Sequence, residues 1–227
     1  MTVSKFLKST ATAGALVASL ALAPGQGQAQ ELNLVDVSYG GTGCPDDTAS
    51  VLVDNQSHTF SILFDAYVVS QPGPITERRK NCDMRLLFEV PRGYQFSIAE
   101  IRYKGFADLP DYVNGLQSAT YEFPLFSPEY SSRTILHGEY VGDYDRTDII
   151  PLYSDVWSPC GARWPLAIHS AVYLYGNRSR PALMTVDSID GKVTQIWRWQ
   201  WRRCYADSEE FEDFDDSQFV ILPDLNL

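Results

Sequence analysis

The sequence predicts an all-β fold: a single-domain antiparallel β-sandwich, jelly-roll-like or Ig-like, held by two disulfides. Three observations lead there. Apolar residues recur at every second position in one segment after another, turn residues punctuate the chain at short intervals, and no segment carries a helical period. Four cysteines, an even number, lie in the part of the chain expected to be exported.

Taken from the N-terminus, Lys5 and Lys8 precede a small apolar run from Thr10 to Ala23, and Gly27-Gln28-Ala29 offers a cleavage site before Gln30. Residues 1–29 are therefore expected to be a cleaved signal peptide, residues 30–205 the sandwich domain and residues 206–227 an acidic C-terminal tail. The apolar run is too short to span a bilayer. Val35 to Tyr39 reads as a strand, followed by the turn Gly40-Gly41-Thr42-Gly43-Cys44-Pro45, which lacks the Gly-Lys-Ser/Thr ending of a phosphate loop. Thr48 to Asp54 and His58 to Tyr67 follow as strands, the second with Phe60, Ile62, Phe64 and Ala66 on one face.

Gln71 to Asn81 reads as a loop. Cys82, Met84, Leu86, Phe88 and Val90 then alternate with polar residues, placing the cysteine on the core side. After Pro91-Arg92-Gly93 the apolar face runs Tyr94, Phe96, Ile98 and then changes phase to Ile101 and Tyr103, which predicts a β-bulge near Ala99 or Glu100. Asp108 to Gln117 reads as a loop, Tyr121 to Leu125 as a strand, Arg133 to Val141 as its partner and Asp143 to Asp148 as a polar loop. Leu166, Ile168, Val172 and Leu174 share a face, opposite His169, Tyr173 and Tyr175. The count is about nine to eleven strands, as a sandwich or barrel requires.

The clearest single element runs from Ala182 to Cys204. Asp190-Gly191 is a favoured two-residue hairpin turn, and β-branched and aromatic residues flank it. Closure there would set Met184 opposite Trp197 and Ala182 opposite Trp199. One face would carry Ala182, Met184, Val186, Val193, Trp197, Trp199 and Trp201, and a second sheet must cover it. Beyond Cys204, seven acids in the ten residues Asp207 to Asp216 read as a solvated tail, and Phe219 to Leu222 could add an edge strand.

Cys44, Cys82, Cys160 and Cys204 allow three pairings. Joining sequence neighbours, Cys44 with Cys82 and Cys160 with Cys204, closes two loops of similar length, each worth about 3 to 4 kcal/mol in the chain-entropy model. The formal charge of −11 becomes −13 without residues 1–29, with 16 basic residues against 29 acidic ones. Such a balance argues against nucleic acid or an anionic membrane as partner.

No coherent catalytic set emerges, so the catalytic assignment is empty. The aromatics Trp197, Trp199 and Trp201 could form a sugar-stacking ladder, but their face is the one that the core needs. Tyr173 and Tyr175, on the His169 face, are the better candidates for exposed ligand-binding aromatics. Asp143, Asp145 and Asp148 could offer oxygen ligands to Ca²⁺, although Asp148 stands where the EF-hand glycine belongs. No other cofactor is implied. The same acids with Glu122 or Glu139 could form a glycosidase pair, which needs two carboxylates at a set separation. His58, His137 and His169 make no metal-binding spacing, and no Gly-x-Ser-x-Gly elbow is present. Asn55-Gln56-Ser57 and Asn177-Arg178-Ser179 have the form of N-glycosylation acceptors, relevant in a eukaryotic host.

Several motifs together resemble a known family: Gly41-Thr42-Gly43-Cys44-Pro45, Asn81-Cys82, Pro91-Arg92-Gly93-Tyr94-Gln95-Phe96, Gly105-Phe106-Ala107-Asp108-Leu109, Ser158-Pro159-Cys160-Gly161, and Asp187 to Gln195 ending at Cys204. They are similar to the secreted domain of unknown function 4360, found in fungi and bacteria, from about Gly40 to Cys204. The resemblance implies a secreted, cysteine-bearing domain whose cysteine positions correspond to the four here, and it supplies no catalytic residues. Ala167 and His169 depart from the asparagines expected at their positions. The expected function is a non-enzymatic extracellular or periplasmic domain, a monomer binding surface glycan or another envelope component. The alternatives are a secreted carbohydrate hydrolase using paired acids such as Glu139 and Asp143, and a Ca²⁺-dependent adhesion domain.

Overall fold

Twelve strands of the computed structural model, which describes residues 30–151, 154, 156–186 and 195–204, form two facing antiparallel sheets. The signal segment 1–29, the Asp190-Gly191 turn, Val193, the tail 206–227 and the Phe219 to Leu222 segment lie outside the described residues. The first sheet has the order β1-β5-β10-β7-β8, with β1 Asn33–Gly40, β5 Arg79–Glu89, β10 Arg163–Gly176, β7 Val113–Glu122 and β8 Tyr130–His137. The second has the order β2-β3-β12-β6-β11-β4, with β9 also paired to β6. Its strands are β2 Ala49–Asp54, β3 Thr59–Phe64, β4 Val68–Gln71, β6 Tyr94–Leu109, β9 Tyr140–Ile149, β11 Ala182–Thr185 and β12 Gln195–Arg203. One short helix, α1 Ile75–Arg78, lies in the segment read as a loop.

Side-chain alternation decides which face of each strand is buried. In β5, Cys82, Met84, Leu86 and Phe88 are buried while Asp83 and Arg85 are exposed. In β6 the apolar phase does shift where expected: Arg198 pairs with Glu100 and Trp199 with Ile98, so Ala99 is the extra residue of a bulge. The bulge keeps Phe96 and Ile98 on the same buried side as Ile101 and Tyr103.

The tryptophans do face the core, and the first sheet covers them. Trp197 is fully buried and Trp199 nearly so, while Trp201 is half-buried. Trp197 meets Tyr121 of the first sheet edge-on at 5.8 Å and stacks on Phe60 at 5.8 Å, and Phe60 in turn meets Phe88 of the first sheet at 5.5 Å. Buried aromatic surface of this extent dominates the energetics of such an interface.

The expected pairing of Met184 with Trp197 and of Ala182 with Trp199 is not formed. Met184 pairs with Val69 and Ala107, and Trp197 pairs with Phe60 and Ile101, so both edges of each strand are already occupied. Along β6, strand β9 pairs from Glu100 to Leu109. Strand β12 pairs from Tyr94 to Tyr103 and β11 pairs at Ala107 and Asp108, so both run end to end along the other edge. Long-range pairing to a sixteen-residue strand has overridden the local turn signal.

Two segments read as loops are strands. Val113–Glu122 is β7, near the centre of the first sheet, and the residues it turns inward include Gly115 and Gln117, which hid its alternation. A Cβ at Gly115 would collide with Met184, so the glycine sets the approach of the two sheets here. Gln117 is fully buried and its Oε1 lies 3.0 Å from the hydroxyl of Tyr144, which also donates to Thr185 O at 2.6 Å. Burial pushes the Tyr144 phenol well above its ordinary range, so it stays a neutral donor. Strand β9 covers the stretch read as the polar loop Asp143 to Asp148, with Tyr144 its one buried residue.

The disulfides join Cys44 to Cys82 and Cys160 to Cys204, with Cα separations of 5.4 and 5.9 Å. The first ties the loop after β1 to β5 in the same sheet. The second ties the segment before β10 to the end of β12, and therefore links the two sheets. Replacing Cys160 and Cys204 together by alanine is expected to cost about 4 kcal/mol by loop entropy. Denaturant unfolding under oxidising conditions measures it, and the loss should disappear when both proteins are compared under reducing conditions.

Candidate functional site

Strand β10 runs through the middle of the first sheet, between β5 and β7. Its inward residues Leu166, Ile168, Ser170, Val172 and Leu174 are buried, which leaves His169, Ala171, Tyr173 and Tyr175 on the outer face. The register lays their neighbours out in rows. Asp83, His169, Thr120 and Ser131 form one row, and Asn81, Ala171, Ser118 and Arg133 the next. Arg79, Tyr173, Leu116 and Ile135 form the third, and Tyr175, Asn114 and His137 the last.

The Tyr173 and Tyr175 rings lie 6.0 Å apart between centroids and within 17° of parallel, and both are half-buried. Leu116 and Ile135 continue an apolar strip from Tyr173 across the sheet, and Ile135 is 47% exposed. Polar side chains frame the strip. His137 Nδ1 is 3.0 Å from Asn114 Oδ1, and His169 Nδ1 is 2.7 Å from Asp83 Oδ1. Asn81 Nδ2 donates to Asp83 Oδ2 at 3.2 Å, and the Thr120 and Ser131 hydroxyls are 2.8 Å apart. A recess of about 240 Å³ lined by Ser38, Tyr39, Asp83, Met84, Arg85 and His169 opens at the β1 side of this face.

The structure disperses the other candidates. Trp197 and Trp199 are core residues and Trp201 packs on Phe96 at 6.1 Å, so they form no open ladder. Asp143 and Asp145 alternate with buried Tyr144 on the outward side of β9, and Asp148 has the opposite parity. Asp145 is engaged by Arg102 through bonds of 2.6 and 2.5 Å, and this hydrogen bonding holds its carboxyl below the usual range. Among the described residues, no group of three His, Cys, Asp or Glu could hold a metal ion. Glu122 lies on the outer face of β7, in a different sheet from Asp143. Among the described residues, the two carboxyls displaced from their ordinary range, Asp54 and Asp145, are both displaced downward, the reverse of a general acid.

Sequence reasoning put Tyr173, Tyr175 and His169 on one face, as the structure does, but missed Asn114, Leu116, Ile135 and Arg79 as their neighbours there. Reading Asp108 to Gln117 as a loop removed β7 from the face. The alternation of Asn114, Leu116, Ser118 and Thr120 against Val113, Gly115, Gln117 and Ala119 carried too little hydropathy contrast to show it.

Fold and disulfides together define a disulfide-stapled β-sandwich. The chain belongs to the family described as Domain of unknown function (DUF4360), whose model matches residues 30–204. It is 37% identical over 178 residues to an "Uncharacterized secreted protein" of Arthroderma benhamiae, covering 77% of this chain and 72% of that one. With that relative, and with two disulfides, the protein is a secreted one. Among the described residues, no helix is long and apolar enough to cross a membrane. Among solved structures, the chain is similar to TmCBM61 in complex with beta-1,4-galactotriose, at 10% identity and a TM-score of 0.26, covering 74% of this chain and 88% of that one. It is also similar to the enzymatically active domain of tailspike protein 4 of bacteriophage CBA120, at 10% identity and a TM-score of 0.26, covering 72% and 19%.

The two groups of aromatics should separate cleanly in stability. Trp197→Ala is expected to cost about 3 to 5 kcal/mol, as large-to-small core changes do. Tyr173→Ala and Tyr175→Ala, on the outer face, should each cost about 1 kcal/mol or less. Urea unfolding of the three variants tests this, and a large loss at either tyrosine would make it a structural residue.

Proposed function

We propose that this protein is a non-enzymatic secreted binding domain whose ligand is a surface polysaccharide, held on the outer face of the β1-β5-β10-β7-β8 sheet. The observation that carries this reading is the pair of near-parallel, half-buried rings of Tyr173 and Tyr175 on the central strand of that face. A pyranose has an apolar face of C–H groups and a rim of hydroxyls. The apolar face matches the strip of Tyr173, Leu116 and Ile135, while the rim needs both donors and acceptors. Asn81, Asn114, Ser118 and Arg79 in the adjoining register positions supply both kinds.

The platform stands on strands rather than loops, so its side chains are held before ligand arrives and little ordering entropy is lost on binding. Its open shape suits a long chain that lies across several strands. Binding by a few stacking contacts with a polar surround also suits a reversible attachment, for which no reacting group is needed.

The test is a pull-down and affinity electrophoresis series with insoluble and soluble cell-wall polysaccharides. Tyr173→Ala and Tyr175→Ala should each weaken retention by tenfold or more, equivalent to about 1.4 kcal/mol, while Tyr112→Ala, exposed in the turn before β7, should leave it unchanged. Retention that survives the double tyrosine variant would move the ligand away from this face.

A further inference from the structure

Two sequons are present, and the structure treats them in opposite ways. We propose that Asn177 is an N-glycosylation site of this protein in a eukaryotic secretory pathway, and that Asn55, although it heads the same three-residue motif, is not. The proposal is independent of the polysaccharide reading above.

The reaction is a group transfer from a lipid-linked oligosaccharide. The bond between the sugar's anomeric carbon and the diphosphate oxygen of the polyprenyl carrier breaks. A bond from that carbon to Asn Nδ2 forms, Nδ2 gives up one proton to solvent, and the polyprenyl diphosphate leaves as the anion. The acceptor must therefore offer a reachable Nδ2, with the hydroxyl of the third residue close by. The transfer happens on a chain that is still folding, so the acceptor geometry must be local.

Asn177-Arg178-Ser179 meets these conditions. The residues from Gly176 to Arg180 are all exposed, in the turn that leaves β10. Ser179 N–H donates to Asn177 Oδ1 at 3.1 Å, an Asx turn that spans only two residues and needs no tertiary structure to form. In the folded protein the backbone is fixed from behind: Asn177 N–H donates to Tyr112 O at 2.8 Å, and Gln71 Nε2 donates to Asn177 O at 2.9 Å. Among the described residues, Nδ2 of Asn177 makes no hydrogen bond, so a sugar attached there displaces nothing.

Asn55-Gln56-Ser57 fails on each point. The turn is made one residue early, by Asp54. Its Oδ1 accepts from Gln56 N–H at 2.9 Å and from Ser57 N–H at 3.4 Å, and its Oδ2 accepts the Ser57 hydroxyl at 2.7 Å. The serine is thus committed to Asp54 instead of Asn55. The Asn55 amide is half-buried and faces Leu32, 23 residues away: Leu32 N–H donates to Oδ1 at 2.7 Å, and Nδ2 donates to Leu32 O at 3.4 Å. Both bonds use the edge of the amide on which Oδ1 and one N–H lie side by side. A glycosylated amide is a secondary amide and keeps the trans arrangement, which puts the sugar carbon on that same edge. A glycan at Asn55 would therefore break the pair that ties the start of β1 to the β2–β3 turn, and glycosylated chains would be depleted from the folded, secreted pool.

The experiment secretes four proteins from a yeast: wild type, Asn177→Gln, Ser179→Ala and Asn55→Gln. Each is compared by gel mobility before and after treatment with an N-glycan amidase in oxygen-18 water, followed by peptide mass spectrometry. The expected result is one glycan step on wild type and Asn55→Gln, no step on Asn177→Gln or Ser179→Ala, and the isotope label at residue 177 alone. Wild type that runs with Asn177→Gln before treatment, or label at residue 55 in the secreted protein, overturns the proposal. Ser179→Ala keeps the asparagine and its backbone bonds, so a folding defect in Asn177→Gln alone would not obscure the answer.

Discussion

Strand β6 is the constraint on which the arrangement of this sandwich depends. It runs sixteen residues without interruption except for the bulge at Ala99, and it pairs along both edges. One edge takes β9, and the other takes β12 and then β11 in line. Because β11 and β12 are each paired again on their far side, to β4 and β3, the sheet extends well beyond β6 on that edge. The tryptophans of β12 are driven inward by the same placement. A strand central in a sheet, with one face against a second sheet, has to bury its apolar face there.

That burial divides the aromatic residues into two populations. Phe60, Phe88, Phe96, Tyr121, Trp197 and Trp199 form the layer between the sheets, with contacts edge-on, tilted or stacked at 5.5 to 6.4 Å. Tyr173 and Tyr175 belong to the other side of the first sheet, where the inner row of β10 already satisfies the core. An aromatic pair kept outside a complete core contributes little to folding, so a ligand role can be removed by mutation without removing the protein. The Cys160–Cys204 bridge supports this division, since it fixes the ends of β10 and β12 and hence the two sheets that carry the two populations.

The inner faces of β3, β5, β10 and β12 were legible because their alternation is strong: large apolar residues stand against charged or hydroxylated ones. The bulge at Ala99 was legible for the same reason, as a break in phase between Ile98 and Ile101. Sequence-neighbour pairing of the cysteines also holds, with each loop closing over about forty residues. What failed were inferences from local signals alone. Asp190-Gly191 suggested a hairpin, yet the strands on either side find partners 75 to 139 residues away. Strands β7 and β9 were hidden by opposite causes. In β7 the inward Gly115 and Gln117 are small or polar because Met184 and Tyr144 fill the space from the other sheet. In β9 a single edge strand buries only Tyr144 and carries acids elsewhere.

The same physics explains why half of the candidate face was visible from sequence and half was not. Tyr173 and Tyr175 alternate with Val172 and Leu174, so their outward direction follows from one strand alone. Arg79, Leu116 and Ile135 join them only through register, across pairings separated by about twenty residues in one case and nearly a hundred in another. Register is decided by the buried faces, since a one-residue slip of β7 would turn Gln117 and Ala119 outward and Leu116 and Ser118 into the core. The outer face is therefore composed by packing on the inner one. Its polar and apolar rows stay in place because Tyr121, Ala119 and Gln117 have no other place to go.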